Sequence, residues 1–196
     1  MSLTVKKSLE KMLDSDLTLE GRRINEGGDS KVYVVLTNTG TAFSKISKAI
    51  TGDPYNHISI SIDEDMTDMF TFSLFNKNGY SGGFKRETRK GLRGSKYSLY
   101  SIGIPTELKE RIVDHMKELE SGISNTRYGY KSLVNIVFNS KVFDTEENEL
   151  ICSHFVASVF DEVGINLFKN KDISMIKPYE FVKSKLLKFE RRGVIK

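Results

Sequence analysis

Cys152 is the only cysteine in the 196-residue chain, and it opens the stretch Cys152-Ser153-His154-Phe155-Val156-Ala157-Ser158-Val159-Phe160. Earlier in the chain, His57 opens the alternating run His57-Ile58-Ser59-Ile60-Ser61-Ile62. A thiol and an imidazole are the parts of a nucleophile and its base: the thiolate attacks a carbonyl carbon, and a neighbouring imidazolium stabilises it and shuttles the proton.

These residues need two different elements to hold them. The run from His57 has period two, so its isoleucines face a core while His57, Ser59 and Ser61 share the opposite side of a strand. From Cys152 to Val163 the apolar residues fall at 152, 155, 156, 159, 160 and 163, a helical period that puts the thiol in the first turn, on the inward stripe. The free N–H groups of a helix N-terminus favour an anion there, here a thiolate. Gly164 is placed to stop that helix. The acidic residues Glu146, Glu147 and Glu149 precede it and oppose a thiolate.

Around this pair the chain reads as a mixed α+β domain. Residues 1–30 form an N-terminal helix, with Val5, Leu9, Met12 and Leu13 on one stripe, and a polar linker. The core domain spans 31–196 and starts with the buried strand Val32-Tyr33-Val34-Val35-Leu36. A helix over Ala42 to Ile50 follows, then the His57 strand, a polar connection and a return strand from Met69 to Phe75. If that hairpin sets His57 opposite Ser73, Ser59 faces Thr71 and Ser61 faces Met69. Asn76 to Gly83 is expected as a loop. Lys85 to Lys96, with six cations against one anion, is also expected as a solvated loop. Then come a strand over Tyr97 to Ile102, a helix begun by Pro105 with the stripe Leu108, Ile112, His115, Met116 and Leu119, a short buried helix over Tyr128 to Phe138, and a last helix from Lys177-Pro178 through Leu186.

Composition limits the function classes. With 38% apolar and 29% charged residues the chain is that of an ordinary globule, and no apolar run nears the roughly 20 residues of a membrane span. A net charge of +4 is a mild bias, and no nucleic-acid partner is expected. Three histidines and one cysteine spread over three elements lack zinc-ligand spacing, so neither metal nor cofactor is expected. His154 diverges from Cys152 on the helix and reads as a surface or packing residue, and His115 as a core histidine. Met1 to Lys7 has no secretory-signal pattern, and the lone thiol persists best in a reducing compartment. Both point to a cytoplasmic chain.

The stretches Val32-Tyr33-Val34-Val35-Leu36-Thr37, Asn56-His57-Ile58-Ser59-Ile60, Tyr128-Gly129-Tyr130-Lys131-Ser132-Leu133 and Ile151-Cys152-Ser153-His154-Phe155-Val156, with an echo at Pro178-Tyr179-Glu180-Phe181, resemble the permuted papain-like branch of the NlpC-type cysteine hydrolases, relatives of the lecithin:retinol acyltransferase-like proteins. The likeness covers residues 31 to 188, and the order of histidine before cysteine is that of the permuted branch. It implies a papain-like antiparallel sheet packed on helices, with Cys152 as nucleophile and His57 as general base and acid. It also implies a polar third residue on the neighbouring strand to orient the imidazole, for which Ser73 is chosen over Thr71, and a tyrosine hydroxyl near the nucleophile, best matched by Tyr128. The expected activity is that of an amidase or peptidase acting through a Cys152 thioester on a peptide-like amide or acyl ester. The alternatives are a catalytically inactive papain-like binding domain and a lipid acyltransferase or thioesterase. A cell-wall peptide substrate would require release or delivery across a membrane by another route.

Overall fold

The computed structural model describes residues 28–39, 52–73, 82–121, 127–129, 131–133, 135, 144, 149–169 and 171–196. The expected N-terminal helix, the Ala42 to Ile50 helix, the side chains of Glu146, Glu147 and Glu149 and most of the Asn76 to Gly83 loop lie outside them, as does most of the Tyr128 to Phe138 segment.

The described chain is α+β, built on a six-stranded sheet in which every pairing is antiparallel. Its strands are β1 (Ser30–Asn38), β2 (His57–Ser61), β3 (Met69–Ser73), β4 (Gly83–Glu87), β5 (Lys96–Ile104) and β8 (Lys188–Val194), in the spatial order β4-β3-β2-β1-β5-β8. Between β5 and β8 the chain forms α1 (Thr106–Glu120), the two-residue strands β6 (Arg127–Tyr128) and β7 (Glu149–Leu150), and α2 (Cys152–Glu162).

Central β1 is buried from Val32 through Thr37, because both of its faces are covered. That explains its unbroken apolar run, which alternation would not permit on a half-exposed strand. On one face Val32, Val34, Leu36, Ile58, Ile60, Phe70 and Phe72 pack with Ile112 and Met116 of α1 and with Phe155, Val156, Val159 and Phe160 of α2. On the other a smaller cluster gathers Tyr33, Val35, Met66, Met69, Leu92, Leu99 and Ile195. Phe155 anchors α2 to the sheet, its ring 5.2 Å from Phe72 and 5.7 Å from Phe84. Burying a side chain of that size stabilises by roughly 1.5–3 kcal/mol.

The helix ends follow local chemistry. Gly164 takes φ 84° just beyond α2, where Gly164 N–H donates to Asp161 O at 2.9 Å and Ile165 N–H to Phe160 O at 2.8 Å. This pair of bonds closes the last turn in the Schellman pattern, and glycine permits the left-handed backbone it needs. Pro105 sits just ahead of the first turn of α1, whose Thr106 N–H donates to Asp29 Oδ1 at 3.1 Å.

Two expectations are corrected. The basic segment is not a solvated loop: residues 83–87 form β4, Arg89–Leu92 a 3₁₀ turn, and Lys96 already belongs to β5. Its cations sit mostly outward, while Leu92 and Glu87 are buried. Near the C-terminus, the expected last helix shrinks to a 3₁₀ turn over Pro178–Lys183, and residues 188–194 form the edge strand β8. The sequence Lys-Phe-Glu-Arg-Arg-Gly-Val lacks apolar alternation because β8 is mostly exposed and is held by its backbone pairing to β5. Charged side chains of this kind also discourage further strands from adding to a sheet edge.

Candidate active site

The sequence places His57 at the first position of β2 and Cys152 at the first position of α2, and the fold brings the two together. The Cys152 side chain lies near enough to the imidazole for the two to act on each other's charge. Ile151 precedes α2 in extended conformation and supplies no side-chain cap, so no cap occupies the N–H groups of the first turn beside the sulfur. Cys152 is 8% exposed.

On the other side of the ring lies a carboxylate that the sequence reading had assigned to a loop. His57 Nε2 is 3.0 Å from Glu87 Oε2. Ser59 Oγ donates to the same carboxylate oxygen at 2.5 Å and lies 3.4 Å from His57 Nε2. The side chains of His57 and Glu87 are 13% and 6% exposed, so this is a buried pair. The arrangement is a linear relay, Cys152 to His57 to Glu87, with Ser59 fastening the carboxylate.

Electrostatics follow from that geometry. Burial by itself pushes the His57 imidazole down, but the Glu87 charge, the nearby Cys152 side chain and the hydrogen bond to Glu87 outweigh it and raise it to about 10. Burial likewise pushes the Glu87 carboxyl up, and the charge and hydrogen bond of His57, with that of Ser59, bring it below its ordinary value. The two shifts agree: imidazolium and carboxylate stabilise each other. A buried ion pair survives only when each charge meets a partner and further hydrogen bonds, as Ser59 provides here.

Glu87 takes the position expected of Ser73, which is a correction. The ladder between β2 and β3 covers Ile60 opposite Phe70 and Ser61 opposite Met69, so the anticipated register holds at that end. It does not extend to His57 and Ser73. Ser73 instead pairs with Gly83 of β4 and makes no hydrogen bond to His57. Thr71 Oγ1 is spent on the backbone, donating to Ile58 O at 2.8 Å. A weak signal for Glu87 did exist: it is the one acid in a segment otherwise made of cations.

The backbone of Tyr128 pairs with Leu150, and Gly129 N–H donates to Leu150 O at 2.9 Å. This brings the Tyr128 backbone alongside the strand that leads into Cys152. Its side chain lies outside the described residues.

The remaining histidines have other surroundings. His154 is buried at 3% exposure with its Nε2 unpartnered among the described residues. Burial lowers it to about 4, against a hydrogen bond with the Ser174 backbone. His115 is less buried than a core histidine and links α1 to α2, its Nε2 3.3 Å from Glu162 Oε2. Among the described residues there is no group of three or more His, Cys, Asp or Glu side chains placed to hold a metal ion, and no helix is long and apolar enough to cross a membrane.

No family model matches the chain, and no curated protein matches it.

Proposed function

We propose that the chain is a cysteine hydrolase or acyl-transfer enzyme of the permuted papain-like kind, with Cys152 as nucleophile, His57 as base and acid, and Glu87 as the residue that orients the imidazole. The observation that carries this reading is the imidazole of His57, within electrostatic reach of the Cys152 side chain and 3.0 Å from the buried Glu87 carboxylate. A structural cysteine has no need of a charged ring, and a structural ion pair has no need of a thiol at a helix N-terminus.

The chemistry runs in two halves. The Cys152 sulfur forms a bond to the carbonyl carbon of an amide or ester, and the oxyanion is held by the Cys152 backbone N–H. The His57 imidazolium gives its proton to the departing amine or alcohol as the carbon–heteroatom bond breaks, leaving a thioester. Neutral His57 then takes a proton from water as its oxygen attacks the thioester, the carbon–sulfur bond breaks, the acid departs, and the Cys152 thiolate beside the His57 imidazolium is restored. An acceptor alcohol or amine in place of water makes the same site an acyltransferase.

The rival reading, an inactive binding domain on the same scaffold, is favoured by one observation, the low exposure of Cys152 at 8%. Iodoacetamide labelling near neutral pH separates the two. The enzyme reading expects Cys152 to alkylate faster than free cysteine, an acyl adduct on Cys152 after treatment with p-nitrophenyl acetate, and a loss of about 10²–10⁴-fold in acylation rate in His57→Ala. Alkylation no faster than free cysteine together with no acyl adduct sinks it.

A further inference from the structure

A groove of about 450 Å³ opens at the His57 end of the sheet, lined by Asn38, Pro54, Tyr55, Lys96, Tyr97, Ser98, Arg192, Gly193 and Val194. Its position relative to the site follows from the strand register. His57 pairs with Thr37, Thr37 with Tyr97, and Tyr97 with Gly193, so one row across β2, β1, β5 and β8 begins at the imidazole strand and ends in the groove. At about 4.8 Å per strand, Tyr97 lies two strands, or roughly 10 Å, from His57. Tyr55 forms the near wall two residues before His57, its hydroxyl 2.7 Å from Ser98 Oγ.

The charge of this groove is one-sided. Lys96 and Arg192 both line it, no acidic side chain does, and neither cation has an ion-pair partner among the described residues. Other cations of the sheet do carry acidic partners: Lys31 has Glu190, Arg86 has Asp68 and Glu120, and Arg191 has Glu64. Gly193 contributes shape, since a Cβ there would stand 3.2 Å from the Tyr97 ring. Its bare backbone lets the edge strand close against that ring.

Resting on the hydrolase reading above, we infer that this groove holds an anionic group of the substrate, a carboxylate or a phosphate carried roughly 10 Å from the carbonyl that Cys152 attacks. Lys96 and Arg192 supply the charge, and Tyr55 and Tyr97 the walls. The substrate class is thus an amide or ester with a remote acidic end.

Two measurements test this independently of catalysis and through it. Isothermal titration of the full chain carrying Cys152→Ala uses three chains of equal length spanning about 10 Å, each with an amide at one end and a carboxylate, a phosphate or a neutral amide at the other. The expected result is tighter binding of at least one anionic probe over the neutral one, by about tenfold or more, weakened by salt and lost in Lys96→Gln/Arg192→Gln. Whichever anion binds better identifies the group. The p-nitrophenyl esters of the same chains, given to the wild-type chain, are expected to show the same preference in kcat/KM. Equal binding of charged and neutral probes, or a preference that survives the double substitution, overturns the inference. If the anionic probe binds as described but no ester is turned over, the groove stands and the hydrolase reading fails.

Discussion

Glu87 ends a strand that is separated from the strand of His57 by a third, yet its carboxylate reaches the imidazole at 3.0 Å. The orienting group therefore comes from neither a neighbour in sequence nor a cross-strand partner of His57. Ser59, two residues from His57 on the same strand, bridges the gap by binding the same carboxylate oxygen.

That relationship separates Glu87 from the residue on the adjacent strand. Glu87→Gln keeps the shape and removes the charge, and it is expected to lower the acylation rate of Cys152 by tenfold to about 10⁴-fold, the range for neutralising the acid of a triad. Ser73→Ala is expected to change it by less than about twofold, since Ser73 makes no bond to the ring. Burst kinetics with p-nitrophenyl acetate decide. Equal rates for the two variants would show that the carboxylate does not act through His57.

Stability should depend on pH from both sides of the ion pair. The Glu87 carboxyl is lowered on folding, so its contribution is present above the ordinary carboxylate range and is lost as pH falls through its folded value. His57 is raised to about 10, so its contribution is complete below its ordinary value of 6.5 and is lost as pH rises through about 10. Urea denaturation should show stability falling as pH rises from about 6.5 towards 10, and His57→Gln should lose that alkaline fall. Glu87→Ala leaves an imidazolium buried without its partner and is expected to cost about 3–5 kcal/mol at neutral pH. An alkaline limb unchanged in His57→Gln would contradict the assignment.

His154 supplies a different pH response. It is lowered from 6.5 to about 4 by burial, so the unfolded chain takes up its proton first and stability falls as pH drops from about 6.5 towards 4. The slope is at most about 1.4 kcal/mol per pH unit. His154→Gln retains a donor for Ser174 and should flatten this limb without affecting the alkaline one. Chemical denaturation at pH 7 and pH 5 for both chains measures it, and parallel losses in the two would refute the role of His154.

Phe155 connects stability to the site. It is 1% exposed and wedged against Phe72 and Phe84, one turn after Cys152. Phe155→Ala is expected to destabilise by about 3–5 kcal/mol. Because the same ring seats the start of α2 on β3 and β4, Cys152 alkylation by iodoacetamide should also lose its dependence on His57. Retention of wild-type alkylation kinetics in a folded Phe155→Ala chain would show that α2 is held in place by other contacts.

Much of this architecture was readable from local pattern. The period-two run at His57, the helical stripe from Cys152 to Val163, the glycine that ends it and the apolar run of β1 each describe an element whose side chains report their own burial. Strand β8 was hidden, because an exposed edge strand is held by backbone hydrogen bonds to β5 and need not carry an apolar face. Strand β4 was hidden for a related reason: its cations point outward, and charge dominated the reading of the segment.

The strand that carries His57 and the helix that carries Cys152 are decided by periodicity along the chain, whereas the meeting of the two side chains is decided by how that helix packs on the sheet. The contact of Glu87 with His57 is decided only when β4 pairs with β3 and β3 with β2, since strand order in a sheet is set by long-range pairing and leaves no periodic trace in sequence. An isolated Glu87 among cations is indistinguishable from a surface acid until folding buries it, and burial is what makes its charge act on the imidazole rather than on water.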